Sequence, residues 1–208
     1  MYADLHLHTN FSDGTFTPEE LAEHGQRVGL SAMALTDHDT VDGCARMAVA
    51  CGERDIEFVA GCEFTVEHDG NELHLLGYFL NLENNRLRGE LAKYQSVRRN
   101  RIHEMVEKLN ELGVEITSDD VMKIANCDSP GRPHIGRALV ALGHCGSLDE
   151  AFRKWLKKGK PAWVSKAKLT ATEAIGLIHE ACGLAVIAHP GLYHRDEVIA
   201  PLVEVGLD

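Results

Sequence analysis

The sequence predicts an α/β fold: a barrel of strands joined by helical crossovers, interrupted in its second half by a mainly helical insertion. Three observations predict it. Apolar runs of strand length alternate with amphipathic helical patterns over residues 1–83 and again over 166–208. Residues 84–165 change rhythm, being rich in Lys, Arg and Glu with no segment that reads as a buried strand. Histidines and carboxylates recur within or at the C-terminal ends of the apolar strands, the edge where parallel barrels build their sites.

Taken in order, ADLHLHT reads as the first strand. A helix follows with Thr17 as N-cap, Pro18 at its first position and Glu20 completing a capping box, and it should stop at Gly29. SAMALTDHDT is a second strand with its exit loop, and Val41 to Cys51 a second helix. IEFVAGCEFTVEHDGNELHLLGYFL supplies two more strands around a turn at Asp69-Gly70. After the insertion, Thr170 or Thr172 caps a helix running to Cys182. LAVIAHPG is an apolar strand again ending in histidine, and a last helix begins near Asp196.

Composition narrows the function classes. Hydrophobic residues at 44% and charged residues at 25% are those of an ordinary globular chain. The formal net charge of −11 opposes broad coating of duplex DNA, whereas a small phosphorylated ligand held through cations remains compatible. Six scattered cysteines without a CxxC pair fit a reducing compartment. With no apolar run near the length of a membrane span and no leader-like N-terminus, the expected location is the cytoplasm.

The chemistry concentrates in a few positions. His6 and His8, two apart on one strand, share a face. Asp13, His38, Glu63, His74 and His189 then arrive on successive elements, and imidazole with carboxylate is the ligand mix of Zn, Mn and Fe sites. Asp37 and Asp39 flank His38 and are expected to orient its ring, with a helix cap as the other reading of Asp39. His24, His68, His103, His144, His179 and His194 read as surface or packing residues. No nucleophile elbow, phosphate-binding glycine loop or dinucleotide fingerprint is present.

HLHTNFSDGT, TDHDT, the Glu of GCEFT, the His of ELHLLGY and AHPG together resemble the polymerase and histidinol phosphatase (PHP) family. The resemblance implies a distorted (β/α)7 barrel around two to three divalent ions (Mn, Fe or Zn). It puts His6, His8 and Glu63 on one metal, His74 and His189 on a second that shares Glu63, and Asp13 and His38 on a third. It also calls for a late Asp-x-His that would complete the first and third sites. The sequence ends at GLD before such a motif, so the C-terminal part of the barrel is expected on a longer product or a second polypeptide.

The implied reaction is hydrolysis of a nucleotide phosphomonoester by metal-activated hydroxide. The 3′-phosphate of a nucleoside 3′,5′-bisphosphate leads, with 5′-3′ exonuclease action on the 5′ end of a short RNA beside it. The helical insertion is expected to cover the active site. In SPGRPHIGRALV, Arg132 and His134 stand at a helix start, suited to phosphate, and His134 is the candidate acid for the leaving group. Lys160 and Lys158 are further candidate phosphate contacts, though Lys157 and Lys158 before Gly159 read more readily as a helix C-terminus answering its dipole, and Trp163 more readily as core than as a base platform. Two alternatives stay open: a histidinol-phosphate phosphatase, and a polymerase-associated module with a structural role.

Overall fold

The computed structural model describes residues 2–165, 169–192 and 196–208. Its chain forms two units, Met1–Tyr94 with Lys168–Asp208, and Gln95–Ala167.

The first unit is built on β1 (Tyr2–Leu7), β2 (Leu30–Leu35) and β3 (Glu57–His68), which pair in parallel in that order. The crossovers are α1 (Pro18–Arg27) and α2 (Cys44–Gly52). Thr17 caps α1 as expected: its hydroxyl accepts from the Glu20 amide at 3.3 Å, and the Glu20 carboxylate accepts from the Thr17 amide at 2.8 Å. α2 starts three residues later than Val41. The Thr40 hydroxyl donates to the Asp42 carboxylate at 2.8 Å and accepts from the Asp42 amide at 3.2 Å, closing a local turn in place of a helical one.

At Asp69-Gly70 the chain reverses, both residues at positive φ (+49° and +73°), as a two-residue hairpin requires. β4 (Asn71–Tyr78) therefore runs antiparallel to β3, from His68↔Asn71 to Gly61↔Tyr78. β5 (Leu169–Thr170) pairs with β3 at Val66 and Glu67, and β6 (Leu184–Ile187) pairs antiparallel with β4. The resulting sheet, in order β1-β2-β3-β4-β6, curls as half a barrel. It is mixed, not parallel throughout, because a tight turn joins only antiparallel strands.

In the same unit α7 (Ala171–Glu180) is capped by Thr170, not Thr172, and a 3₁₀ turn at Asp196–Val198 leads into α8 (Ile199–Glu204). The second unit and the approach to it are helical: α3 (Asn85–Glu111), α4 (Ser118–Ala125), α5 (Arg132–Ala141) and α6 (Leu148–Ala151), with one π-turn at Phe152–Leu156. The boundary between the units falls inside α3. Among the described residues, no helix is long and apolar enough to cross a membrane.

Each unit has its own apolar core. In the first, Met33, Leu35, Cys44 and Met47 pack where α1 and α2 cover β2, while Phe64, Leu73, Leu75, Ile175 and Ile178 join the hairpin to α7. Ile102, Met105, Leu109, Ile135, Leu139 and Leu156 fill the second. Alternation along β3 turns Cys62, Phe64 and Val66 into the core and leaves Glu63 and Thr65 on the opposite face. Phe64→Ala should therefore cost about 3–5 kcal/mol in urea denaturation, as truncation of a fully packed aromatic does. A loss below about 1 kcal/mol would show that this face of β3 is not packed.

Candidate metal centre

Glu63 is the centre of the site. It lies midway along β3, is 1% exposed, and has five imidazoles round its carboxylate. Oε2 is 3.0 Å from His6 Nε2, 3.0 Å from His8 Nε2 and 3.3 Å from His38 Nδ1. Oε1 is 2.8 Å from His74 Nδ1 and 3.0 Å from His189 Nε2. Asp13 stands to one side, its carboxylate 3.7 Å from both His8 Nδ1 and His38 Nε2. These seven residues line one open pocket of about 380 Å³.

Backbone pairing explains how distant residues meet. His6 lies where the β1–β2 register slips between Asp4↔Met33 and Leu7↔Leu35, an irregularity of the kind that re-aims side chains beside active sites. His38 follows β2 and forms a parallel bridge with Glu63: the Glu63 amide donates to the Asp37 carbonyl at 3.2 Å, and the Asp39 amide to the Glu63 carbonyl at 3.0 Å. His74 sits opposite Thr65, between Leu73 and Leu75 that face the core, so its ring falls on the Glu63 side. It stands in the middle of an antiparallel strand and not at a strand end, a consequence of the hairpin. The Ala188 amide donates to the His74 carbonyl at 2.9 Å, extending the β4–β6 ladder to the threshold of His189. His189 itself takes φ +33°, a left-handed conformation that a non-glycine residue holds at a cost of about 1–3 kcal/mol and that concentrates at functional sites.

Among the described residues, two triads of donors, both including Glu63, lie close enough to hold an ion. His6, Glu63 and His189 bring one ligand atom each within 4.8 Å of one another, as do His8, His38 and Glu63. His6 stands between the two: its ring is 5.1 Å from that of His8 and 5.6 Å from that of His189, and its Nε2 faces the same Glu63 oxygen as His8 and His38. His74 approaches Glu63 from the same oxygen as His189.

The chemistry of this set fits a divalent metal. Ligands bound at 2.0–2.2 Å to one ion stand roughly 3–3.5 Å from each other, and the nitrogen–oxygen separations around Glu63 are 2.8–3.3 Å. The local hydrogen bonds point the same way. The Ser12 hydroxyl donates to Asp37 at 2.5 Å, so at 3.4 Å from His8 Nδ1 it can only accept, which places the proton of a neutral His8 on Nδ1. His8 Nε2 then turns a bare lone pair toward Glu63 Oε2 at 3.0 Å, and two acceptors at that distance require a cation or a proton between them.

Without a metal the site answers with protons. Burial favours the neutral acid of Glu63, but hydrogen bonds from His6, His74 and His8 and the charge of His38 outweigh it and hold the carboxyl far below the usual range. Burial acts downward on His8, and its hydrogen bond to Glu63 with the charges of Asp13 and Glu63 raises it above an ordinary histidine. At His189 burial wins and the imidazole is held lower.

Asp37 does not orient His38. Its carboxylate, 1% exposed, accepts from the Thr9 amide at 2.7 Å, the Thr9 hydroxyl at 2.5 Å and the Ser12 hydroxyl at 2.5 Å. Asp39 is not a helix cap either; it accepts from the Thr65 amide at 3.3 Å. Thr9 and Ser12, both fully buried, escape the sequence reading because a Thr and a Ser between His8 and Asp13 read as turn residues.

Arg132, His134 and Lys160 belong to the second unit. His134, 1% exposed at the start of α5, accepts from the Gly131 amide at Nδ1 (3.0 Å), so its neutral ring carries the proton on Nε2. Lys158 and Lys160 are exposed and Trp163 is half-buried. Of the histidines set aside as packing or surface, His24, His103, His144 and His179 have local partners in Arg27, Ser118, the Glu115 carbonyl and Asp208. His194 lies outside the described residues.

A half barrel with an imidazole–carboxylate cage on one face of its strands is the architecture of a metal-dependent hydrolase. The PHP domain matches residues 4–158. The chain belongs to the PHP family of metal-dependent phosphoesterases. It is 35% identical over 193 residues to a 3′,5′-nucleoside bisphosphate phosphatase of Chromobacterium violaceum, covering 91% of this chain and 67% of that protein. It is 32% identical over 191 residues to a 5′-3′ exoribonuclease of Haemophilus influenzae, covering 92% and 69%. A solved structure from Bifidobacterium adolescentis, assigned as a metal-dependent phosphoesterase, superposes with a TM-score of 0.93 at 31% identity over 99% of this chain and 75% of that one. The chain spans about two thirds of the length of the curated relatives it matches.

Gly14 closes the loop that carries Asp13. A Cβ there would lie 2.4 Å from the His8 carbonyl oxygen and 2.8 Å from the Thr9 amide, both backbone atoms that cannot swing aside. Gly14→Ala should therefore displace Asp13 and lower bound Mn²⁺, measured by elemental analysis after desalting, with circular dichroism unchanged. Full metal content in this variant would show that Asp13 is not a ligand.

Proposed function

We propose that this chain hydrolyses a phosphomonoester on a nucleotide, the 3′-phosphate of a nucleoside 3′,5′-bisphosphate first, with 5′-3′ trimming of short RNA as a second activity of the same centre. The observation that carries the reading is the cage itself: five imidazoles and two carboxylates converging on one pocket, in a chain similar to a bisphosphate phosphatase and an exoribonuclease. Two to three divalent ions, Mn, Fe or Zn, supply a Lewis acid and a hydroxide source there when bound.

The chain's own part is placement and proton handling. Glu63 would be the carboxylate that two ions share: its Oε2 faces His6, His8 and His38, with Asp13 beyond the last two, and its Oε1 faces His74 and His189. Arg132 offers a planar fork for a phosphate, Lys160 a second positive charge. His134, whose proton sits on Nε2, is the acid for the departing alkoxide. Scattered cysteines without a CxxC pair support a cytoplasmic location.

The test is phosphate release with Mn²⁺ from adenosine 3′,5′-bisphosphate, 5′-phosphorylated oligoribonucleotides and histidinol phosphate, before and after chelation. Turnover should be highest on the bisphosphate and vanish with EDTA. Turnover on histidinol phosphate alone would overturn the nucleotide reading, and turnover undiminished by EDTA would overturn the metal one. Arg132→Ala should chiefly raise KM for the doubly phosphorylated nucleotide, with a smaller effect on a monophosphate. An equal loss on both substrates would take Arg132 out of recognition of the second phosphate.

A further inference from the structure

The three consecutive residues Asp37, His38 and Asp39 are tied to three different parts of the first unit. The His38 ring enters the cage, Asp39 holds β3 through the Thr65 amide, and Asp37 turns back to the loop after β1. That loop carries His8 and Asp13, and it is wound round Thr9: the Ser12 and Gly14 amides both donate to the Thr9 carbonyl, at 3.1 and 3.0 Å. Asp37 is the acceptor for both the amide and the hydroxyl of Thr9, at 2.7 and 2.5 Å, and for the hydroxyl of Ser12 at 2.5 Å.

A carboxylate 1% exposed is expensive to bury. Three short hydrogen bonds from one loop are what offset that cost. The same bonds reach the cage, since the Ser12 oxygen that donates to Asp37 lies 3.4 Å from His8 Nδ1.

From this geometry we infer that Asp37 is a positioning residue: through Thr9 and Ser12 it fixes the loop that presents His8 and Asp13, and so sets the half of the metal centre that faces His38. Its own side chain does not line the pocket. The inference rests on the reading of the cage as a metal centre and adds an asymmetry to it. His74 and His189, on the other Glu63 oxygen, hang on β4 and the end of β6 and do not depend on Asp37.

The experiment uses Asp37→Asn, which keeps shape but presents an amide N–H where a donor already points, together with Thr9→Val and Thr9→Ser. Mn²⁺ titration by calorimetry should show one class of site weakened roughly 10- to 100-fold in Asp37→Asn, the loss typical when a ligand's supporting partner is removed. Another class should keep wild-type affinity. Thr9→Val should show a smaller loss at the same class, and Thr9→Ser, which restores the hydroxyl, should recover it. Hydrogen exchange supplies a metal-independent readout: the Thr9, Ser12 and Gly14 amides should exchange at least about tenfold faster in Asp37→Asn, with β3 and β4 amides unchanged. Unchanged exchange in the loop, or equal weakening of every metal site, overturns the inference. A wild-type protein that binds no Mn²⁺ would sink the metal-centre reading instead, and the exchange data would still decide the role of Asp37. Should Asp37→Asn fail to fold, the Thr9 pair carries both measurements.

Discussion

One buried carboxylate surrounded by imidazoles is the constraint on which the rest of the first unit turns. An ionised Glu63 at 1% exposure would be several kcal/mol unfavourable without partners. It is kept there by five histidines drawn from β1, the loops after β1, β2 and β6, and the middle of β4. Apart from His6 and His8, on β1 and its exit, they come from separate stretches of the chain, and the sheet order β1-β2-β3-β4-β6 gathers them round the central strand. The twelve-residue length of β3 follows from this demand: its first half must pair with parallel β2 and its second with antiparallel β4, so that Glu63, between them, is reached from both sides.

Apolar packing and the polar cage are two faces of the same strands. Phe64 and Leu75 are paired partners in the core with α7, and their neighbours Glu63 and His74 meet at 2.8 Å on the other face. A slip of one residue in the hairpin would exchange these sets, burying a carboxylate and an imidazole against Ile175 and Ile178 while exposing Phe64. The turn at Asp69-Gly70, with both residues at positive φ, therefore fixes the metal centre as much as it fixes the core.

Much of this was legible from residue type and spacing. Thr17-Pro18-Glu20 states the start of α1 in local chemistry alone, and His6 and His8, two apart, share a face whatever the tertiary fold. What stayed hidden depends on long-range partners. Asp37 reads as a companion of His38 because it adjoins it, yet its side chain answers to Thr9, 28 residues away, and Asp39 reaches as far as Thr65, 26 residues away. The approach of His6 to His189 depends on how far the sheet curls, which no local pattern encodes. The late start of α2 turns on Thr40 and Asp42 bonding each other, a contest between a turn and a helix that propensity alone leaves nearly even.

On the reading proposed for this chain, the charge balance bears on which phosphate esters it takes. A net charge of −11 gives little long-range attraction for a polyanion, and what it does give is repulsive. Affinity must then come from the phosphate that enters the cage and from a few cationic side chains, not from a continuous basic track along a nucleic acid backbone. Each added nucleotide would bring another negative charge to an acidic surface with no compensating release of counterions from that surface. The balance favours a mononucleotide or the terminal residue of a short strand over a long duplex, and it does so through the sign of the surface alone, before any pocket contact discriminates between bases.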